Sequence, residues 1–295
     1  MNQKQLSFII TEARAHLVEC LARVLSDEGW RERRSPEELI DLHLIPDRKE
    51  FRDRRQDILS SILQSAQNRQ EMNRVIGGSV KGGWVGLGRL LHGFDPVKIT
   101  ASWSDARALF NYIKQSGRVN GAMRRGLRSR WPQFCKSVLS ASRFMLRFES
   151  GADFIKWVES FRHSPDTCAA LPLVLAEEID GFGLALACDF LKELGFEEFA
   201  KPDVHVKKLV NALGISAATS DYMVLRDLMR LEPLLKTGNL TLYGLDKYLW
   251  LIGSGRFYRV EEDGYELNIG RQIKSFMNRI NKVAPKNFFP VPSLP

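Results

Sequence analysis

Residues 179–187 read IDGFGLALA, and this short stretch sets the expected fold. Apolar residues recur at helical spacing on both sides of it, so it predicts a tight turn between two packed helices. Gly181 and Gly183 are expected to adopt backbone angles closed to other residues and to leave N–H groups uncovered where the second helix begins. Such a helix start attracts phosphate. The alternative is an ordinary helical corner packed for stability.

A second stretch, KPDVHV at residues 201–206, precedes another apolar helical stripe. Asp203 follows a proline and stands just before that stripe, so it is predicted to be a helix N-cap. The helix dipole keeps a carboxylate there ionised and presents it at the surface. Capping alone is its ordinary role. The position also suits catalysis, because a fixed anion stabilises the positive charge that builds on a sugar as its N-glycosidic bond breaks.

The two stretches together resemble the helix-hairpin-helix base-excision DNA glycosylase superfamily, which has an endonuclease III-like fold. The resemblance implies an all-α protein with two helical subdomains and a DNA-binding groove between them. It implies that Asp203 is the catalytic carboxylate and that Gly181, Gly183 and Ala185 lie at the DNA phosphates. Lys201, two residues before the cap, is predicted to contact phosphate or to remain solvated.

The residue at position 185 bears on the type of reaction. In bifunctional members of the superfamily, a lysine two positions beyond the second hairpin glycine attacks the sugar, whereas this chain has Ala185 there. Lys192 lies about 10 Å further along the helix at ~1.5 Å per residue, which is too far to replace that lysine. The resemblance therefore implies a monofunctional enzyme that uses water. Two alternatives stay open: a non-catalytic helix-hairpin-helix DNA-binding protein, and a bifunctional glycosylase/lyase with an unrecognised lysine.

Residues 58–68 read ILSSILQSAQN and resemble the superfamily helix that ends in Ser-Ala-Gln. The glutamine of that helix enters the gap left in the duplex when a base is extruded. The resemblance therefore assigns the gap-filling role to Gln67, with Asn68 beside it. The alternative is a polar helix end in solvent.

The charge distribution favours a nucleic-acid partner. The chain has a formal net charge of +8, and residues 106–148 contain no Asp or Glu. Arg124, Arg125 and Arg128 lie in this segment and are predicted to bind DNA phosphates. The alternative is a solvated face of a basic protein.

Aromatic residues near the end of the resemblance are candidates for the base pocket. Residues 245–253 resemble the helix that closes the glycosylase domain, and extruded bases are gripped by aromatic faces. Tyr248, Trp250, Phe257 and Tyr258 are the candidates, with packing in the core as the alternative for each.

The composition sets wider limits. At 295 residues and 44 % hydrophobic content, the chain can bury a substantial core. We expect an N-terminal helical segment at 1–54, the glycosylase domain at 55–260, and a C-terminal segment and tail at 261–295. The isolated cysteines predict reduced thiols without a metal site, and no cysteine follows Cys188, so the iron-sulfur loop of some superfamily members is absent.

No secretory segment and no membrane span is expected, so a cytoplasmic or nucleoid location follows. The expected partner is double-stranded DNA with a damaged or modified base, bound by a monomer without a cofactor. The role is then DNA repair or antiviral defence against modified phage DNA. The sequence does not specify the base.

Helical periodicity and capping signals dominate the chain, and no run of alternating strands is predicted. The glycine-rich stretch 77–88 is expected to be a connector, with a loop over the extruded base as the alternative. Helices are predicted at residues 5–27, 35–43, 47–75, 104–116, 132–148, 151–162, 168–178, 184–194, 204–213, 221–231 and 242–252.

Overall fold

The computed structural model describes residues 1–27, 34–46, 53–126, 128–238, 240–258, 267–285 and 288, apart from the side chains of 70 and 71. The chain divides into two compact units. The first joins Met1–Asp47 to Gly195–Pro295, and the second comprises Arg48–Leu194. The predicted division at residues 54 and 260 stays a prediction, as does the groove between subdomains.

The described residues are mainly helical, as predicted. In chain order the helices are α1 (Gln3–Asp27), α2 (Pro36–Leu44), α3 (Arg55–Ala66), α4 (Gly83–Leu90), α5 (Pro96–Ser102), α6 (Ala106–Gln115), α7 (Arg130–Met145), α8 (Gly151–Glu159), α9 (Pro165–Glu178), α10 (Leu184–Glu193), α11 (Val204–Ala212), α12 (Asp221–Met229), α13 (Glu232–Lys236), α14 (Leu242–Ser254) and α15 (Ile273–Val283). Short 3-10 turns occur at Arg69–Arg74, Gly77–Ser79 and His92–Phe94. Two short strands, β1 (Arg256–Phe257) and β2 (Leu267–Asn268), pair antiparallel.

Most predicted helices are confirmed, with ends within three residues of those expected. The predicted helix 47–75 is too long. Residues 47–52 lie outside the described part, and the helix ends at Ala66, beyond which the backbone tightens into 3-10 turns. Helices α5, α13 and α15 were not predicted.

The glycine-rich stretch is not a plain connector, because it contains most of α4. Glycine has low helix propensity, which is why the sequence pattern misses this helix. Packing explains the choice of residue: a Cβ on Gly86 would lie 2.1 Å from the carbonyl oxygen of Lys81. Gly88 similarly faces the Phe94 ring, 2.9 Å from an added Cβ.

Helix α7 forms the centre of the second unit. Helices α3, α5 and α6 pack against it. Near its C-terminal end, Phe144, Phe148, Phe154 and Trp157 form an aromatic cluster with ring centroids 5.2 to 6.4 Å apart. Each fully buried ring of this kind stabilises the fold by about 1.5–3 kcal/mol. The unit is therefore a firm support for the turn between α9 and α10.

Helix α14 is the central helix of the first unit. It is buried along nearly its whole length, and α1, α2, α11 and α15 pack against it. A Cβ on Gly253 of α14 would lie only 2.7 Å from Cβ of His205 in α11. Glycine therefore permits a close approach that fixes the first turn of α11.

Candidate DNA-binding and catalytic site

The predicted hairpin is confirmed between α9 and α10, which pack together. Gly181 has a φ of +74°, in the left-handed region, so glycine is required there. Gly183 has φ −68° and ψ 165°, which any residue can adopt, so the expectation of special backbone angles at Gly183 is wrong. Gly183 is the N-cap of α10 and has no side-chain cap, so the N–H groups of Leu184 and Ala185 are uncovered as predicted, while that of Leu186 donates to the carbonyl oxygen of Gly183 at 2.9 Å.

Two serines of α7 hold this hairpin in place. The Ser137 hydroxyl donates to the carbonyl oxygen of Asp180 at 2.6 Å. The backbone N–H of Asp180 donates in turn to the Ser140 hydroxyl at 2.9 Å. The backbone C=O and N–H of Asp180 are thus both hydrogen-bonded to side chains of α7. The position of the turn depends on α7 as well as on its own glycines.

Arg69 is a further residue of the hairpin that the sequence did not indicate. Its Nη1 lies 2.6 Å from the point where a Cβ on Gly181 would stand. The side chain is half-buried, and no hydrogen bond or ion pair holds its guanidinium among the described residues. A cation without a carboxylate beside uncovered helix N–H groups suits an anionic ligand.

Gln67 is the C-cap of α3, and Asn68 stands between it and Arg69. Oε1 of Gln67 accepts a hydrogen bond from the N–H of Gly77 at 3.2 Å, and the side chain is half-buried. Nδ2 of Asn68 donates to Oδ2 of Asp189 in α10 at 3.4 Å. Gln67 is therefore anchored to the glycine-rich stretch in this conformation, and insertion into a duplex requires it to release Gly77.

The predicted phosphate-binding arginines lie between α6 and α7. Arg124, Arg125 and Arg128 are all exposed. None of them forms an ion pair within the part of the chain that the structure describes. Exposure without a carboxylate partner is what phosphate contacts require, because a paired cation has no charge left to neutralise an external anion.

Asp203 caps α11, as predicted. Its Oδ1 accepts hydrogen bonds from the N–H groups of His205 at 2.9 Å and Val206 at 3.0 Å. The residue is half-buried, and no side chain among the described residues forms an ion pair with it. The carboxylate is thus fixed through one oxygen, and Oδ2 is left for another partner.

The segment before Asp203 is tied to α14. The N–H of Lys201 donates to Oδ1 of Asp246 at 2.8 Å, and Asp246 is 2 % exposed. Pro202 is buried. Together with the close approach of Gly253 to α11, this buried carboxylate fixes Asp203 from both sides. The sequence alone did not indicate Asp246.

Ala185 lies in the first turn of α10, where no amine is available. Lys192, the next lysine of that helix, is 3 % exposed, and its Nζ lies 3.7 Å from Oδ1 of Asp189. A buried, paired ammonium is a poor nucleophile because it must lose its proton and leave its partner.

The four candidate pocket aromatics differ in exposure. Phe257 is fully buried and Tyr248 is 3 % exposed, with its hydroxyl accepting from Arg14 at 3.2 Å, so both serve the core of the first unit. Tyr258 is 41 % exposed, and the half-buried Trp250 packs on it with ring centroids 5.6 Å apart. Trp250 and Tyr258 are therefore the two of the set with side-chain surface left exposed.

Among the residues that the structure describes, no His, Cys, Asp and Glu side chains are grouped to hold a metal. The described helices include none that is both long and apolar enough to cross a membrane. All four cysteines are buried thiols. Burial raises the pKa of Cys135 well above its ordinary value.

No protein-family profile matches the chain, and no curated protein matches it in sequence. Three solved structures are similar. The 8-oxoguanine DNA glycosylase of Methanocaldococcus jannaschii is 15 % identical with a TM-score of 0.46, covering 85 % of this chain and 97 % of that one. The same organism's 8-oxoguanine glycosylase/lyase bound to a 15mer DNA containing 8-oxoguanine is 16 % identical with a TM-score of 0.44, covering 80 % of this chain and 96 % of that one. The 8-oxoguanine DNA glycosylase of Thermotoga maritima is 14 % identical with a TM-score of 0.45, covering 83 % of this chain and 99 % of that one.

Proposed function

We propose that this protein is a monofunctional DNA glycosylase, which extrudes a damaged or modified base from duplex DNA and hydrolyses its N-glycosidic bond. The observation that carries the proposal is the Asp203 carboxylate. It caps α11 through Oδ1 alone, is half-buried, and has no cation partner among the described residues. A fixed anion of this kind suits a reaction that builds positive charge on a sugar.

In the proposed reaction, Asp203 acts on water and on the sugar together. The bond between the sugar C1′ and the base nitrogen breaks, and its electron pair leaves with the base, which takes up a proton. Water gives a proton to the Asp203 carboxylate, and its oxygen forms a bond to C1′. The product is an abasic site in an intact strand. The anion stabilises the oxocarbenium-like charge in between.

Most of the proposed phosphate contacts lie in the second unit. The uncovered N–H groups at Gly183 and the start of α10 receive a phosphate, and Arg69 stands beside them. Arg124, Arg125 and Arg128 contact further phosphates and supply affinity that does not depend on sequence.

Gln67, with Asn68, fills the gap in the stack after release from Gly77. Trp250 and Tyr258 grip the extruded base. Lys201 contributes a phosphate contact near the catalytic carboxylate.

The assignment to the monofunctional class rests on Ala185 and on the burial of Lys192. We further propose that the protein acts as a monomer without a cofactor in the cytoplasm or nucleoid, either in DNA repair or in defence against phage DNA with modified bases. These two roles differ in the base removed and not in the chemistry.

A panel of duplexes tests this function. Each duplex carries one oxidised, alkylated, deaminated or hypermodified base, and the products are separated before and after hot alkali. We expect one class to be cut only after alkali, with no adduct trapped by borohydride. Trapping in high yield would show a lyase that uses another lysine. Tight binding of every duplex without base release would show a non-catalytic DNA-binding protein.

A further inference from the structure

The glycine-rich stretch is joined to the segment that leads into the exposed arginines. Val80 and Val119 form an antiparallel bridge. On either side of it, the N–H of Lys81 donates to the carbonyl oxygen of Arg118 at 2.8 Å, and the N–H of Asn120 donates to that of Ser79 at 2.8 Å. We call residues 77–83 and 116–128, apart from Leu127, the basic wing.

Both strands of the basic wing lie in segments without acidic residues. Residues 72–94 and residues 106–148 contain no Asp or Glu. Lys81 and Arg118 follow and precede the two bridged valines, so they stand opposite each other, and both are exposed. Neither forms an ion pair among the described residues. The same holds for Arg124 and Arg125, so the wing presents several uncompensated cations on one folded element.

The wing is attached to the helix that carries the proposed gap-filling residue. The indole N–H of Trp84 donates to the Ser60 hydroxyl of α3 at 3.0 Å, and its ring stacks on Phe94 at 5.2 Å. At the end of α3, Gln67 accepts from Gly77 of the wing. The base of the wing is therefore held by packing and hydrogen bonds, and its cations stand on a supported surface.

The other end of the wing leads into α7, which holds the hairpin through Ser137 and Ser140. From Arg130 to Ser137 the helix rises about 10 Å at ~1.5 Å per residue. Duplex DNA carries one charge per about 1.7 Å of its axis. A cation at the start of α7 is therefore several phosphate spacings along the helix from the serines that hold the hairpin.

We propose that the basic wing is a second contact with the backbone of duplex DNA, flanking the nucleotide that is extruded. The inference rests on the proposed function and assigns to the glycine-rich stretch a role in binding. Lys81 and Arg118 neutralise phosphates there in addition to the three arginines already named. The partner is double-stranded DNA because the wing offers positive charge on a supported edge beside a residue proposed to enter the base stack.

The test is the salt dependence of binding to undamaged duplex DNA. Lys81→Gln combined with Arg118→Gln should weaken binding and lower the log-log salt slope by about 1.8, at about 0.9 for each lost phosphate contact. The control is Arg162→Gln combined with Lys236→Gln, which removes the same net charge from cations paired with Glu159 and Glu232. The control should keep the wild-type slope. Equal slopes for the wing variant and the control would overturn the proposal.

A charge-conserving variant guards against misfolding as the cause. Lys81→Arg combined with Arg118→Lys should keep the slope, and all variants should share the wild-type melting temperature. A lower salt slope in the charge-conserving variant as well would contradict a contact with DNA phosphates. The same measurement on duplex RNA is a second check: if the wing variant lowers the slope for RNA and not for DNA, the contact is not with DNA.

Binding to undamaged DNA needs no catalysis, so the two proposals fail separately. If the wild type excises a base while the wing variant keeps its slope, only the wing is wrong. If the wing variant changes the slope as expected but no base is released from any duplex, the glycosylase function is wrong.

Discussion

In the first unit Arg279 lies between carboxylates, with Glu12 at 2.6 Å, whereas in the second unit Arg124, Arg125 and Arg128 are exposed and form no ion pair among the described residues. The charge of a paired arginine is neutralised by a carboxylate of the same chain. Exposed cations in a segment without acidic residues repel one another and are useful only to an external anion.

One carboxylate of each unit can be compared in the same way. In the first unit Asp203 has no cation partner among the described residues, while in the second unit Glu178 pairs with Arg147. Arg124, Arg125 and Arg128 of the second unit and Asp203 of the first unit are thus alike in having no ion-pair partner among the described residues. The proposed glycosylase reaction uses both kinds of group, because its substrate is a polyanion and its transition state is cationic at the sugar. In that proposal most phosphate contacts belong to the second unit and the catalytic carboxylate to the first.

The largest effect is expected for Asp203→Asn. Asparagine keeps the shape and can still cap α11, but the anion is lost, so the single-turnover rate of excision should fall by about 100-fold or more. Binding to a duplex with an abasic-site analogue should persist.

The control is Asp105→Asn in the second unit. Asp105 caps α6 in the same way, through bonds from Arg107 at 2.8 Å and Ala108 at 2.9 Å. The backbone bond from Ala108 lowers the pKa of Asp105, so this variant removes an anion of the same kind. Comparable rate losses in both variants would trace the effect to the loss of any capping anion and not to the position of Asp203.

A smaller effect, on binding, is expected when Arg124, Arg125 and Arg128 are replaced together by Gln. If all three contact phosphate, the log-log salt slope should fall by up to about 2.7, three contacts at about 0.9 each. Fluorescence anisotropy with a labelled duplex measures the slope. A matched triple variant removes three cations that are paired with carboxylates, namely Arg162→Gln, Arg230→Gln and Lys236→Gln. If both triple variants keep the wild-type slope, the three arginines belong to solvated surface.

The hairpin glycines provide a prediction about stability. Gly181→Ala should destabilise the protein by about 1–2 kcal/mol, because alanine avoids a positive φ, and the new Cβ also displaces Arg69. Gly183→Ala should change the free energy of unfolding by less than about 1 kcal/mol: its φ is ordinary and no atom lies within 4 Å of the added Cβ, while alanine is the poorer N-cap and offsets the gain in chain entropy. Denaturant unfolding distinguishes the two. Equal losses would mean that the hairpin has a different backbone in solution.

The smallest effect is expected for Gln67→Ala, and it should depend on the substrate. If Gln67 fills the vacated stack, excision should slow more for a matched pair than opposite a mismatch, where part of the cost of extrusion is already met. Gly77→Ala is the control, since its Cβ would lie 2.9 Å from Oε1 of Gln67 and disturb the same hydrogen bond while keeping the glutamine. Equal excision losses on both substrates, or a Gly77→Ala variant with the same pattern, would remove Gln67 from the gap.

Local patterns predicted the parts of the fold that depend on neighbours in sequence. Helix periodicity located most helices, and the cap at Asp203 follows from a proline, an acidic residue and an apolar stripe in order. The turn at Gly181 is equally local. Each of these features depends on residues within about ten positions of one another, so it can be predicted from the sequence.

Features that depend on distant partners were missed. Ser137 and Ser140 hold Asp180 across about 40 residues, and nothing in the sequence of α7 marks them. Arg69 reaches the hairpin across a longer separation still. The helix α4 was missed for another reason: its glycines pack closely against Lys81 and Phe94, only five and six residues away, and this packing outweighs their low helix propensity.

The division of labour between the two units is tested most directly by single-turnover excision rates measured over a range of protein concentration on one duplex with the susceptible base. We expect the triple arginine variant to reach the wild-type plateau at higher protein concentration. We expect Asp203→Asn to keep the wild-type half-saturation while its plateau falls by about 100-fold or more. A wild-type plateau for Asp203→Asn, or a plateau lowered as far in the triple arginine variant, would contradict it.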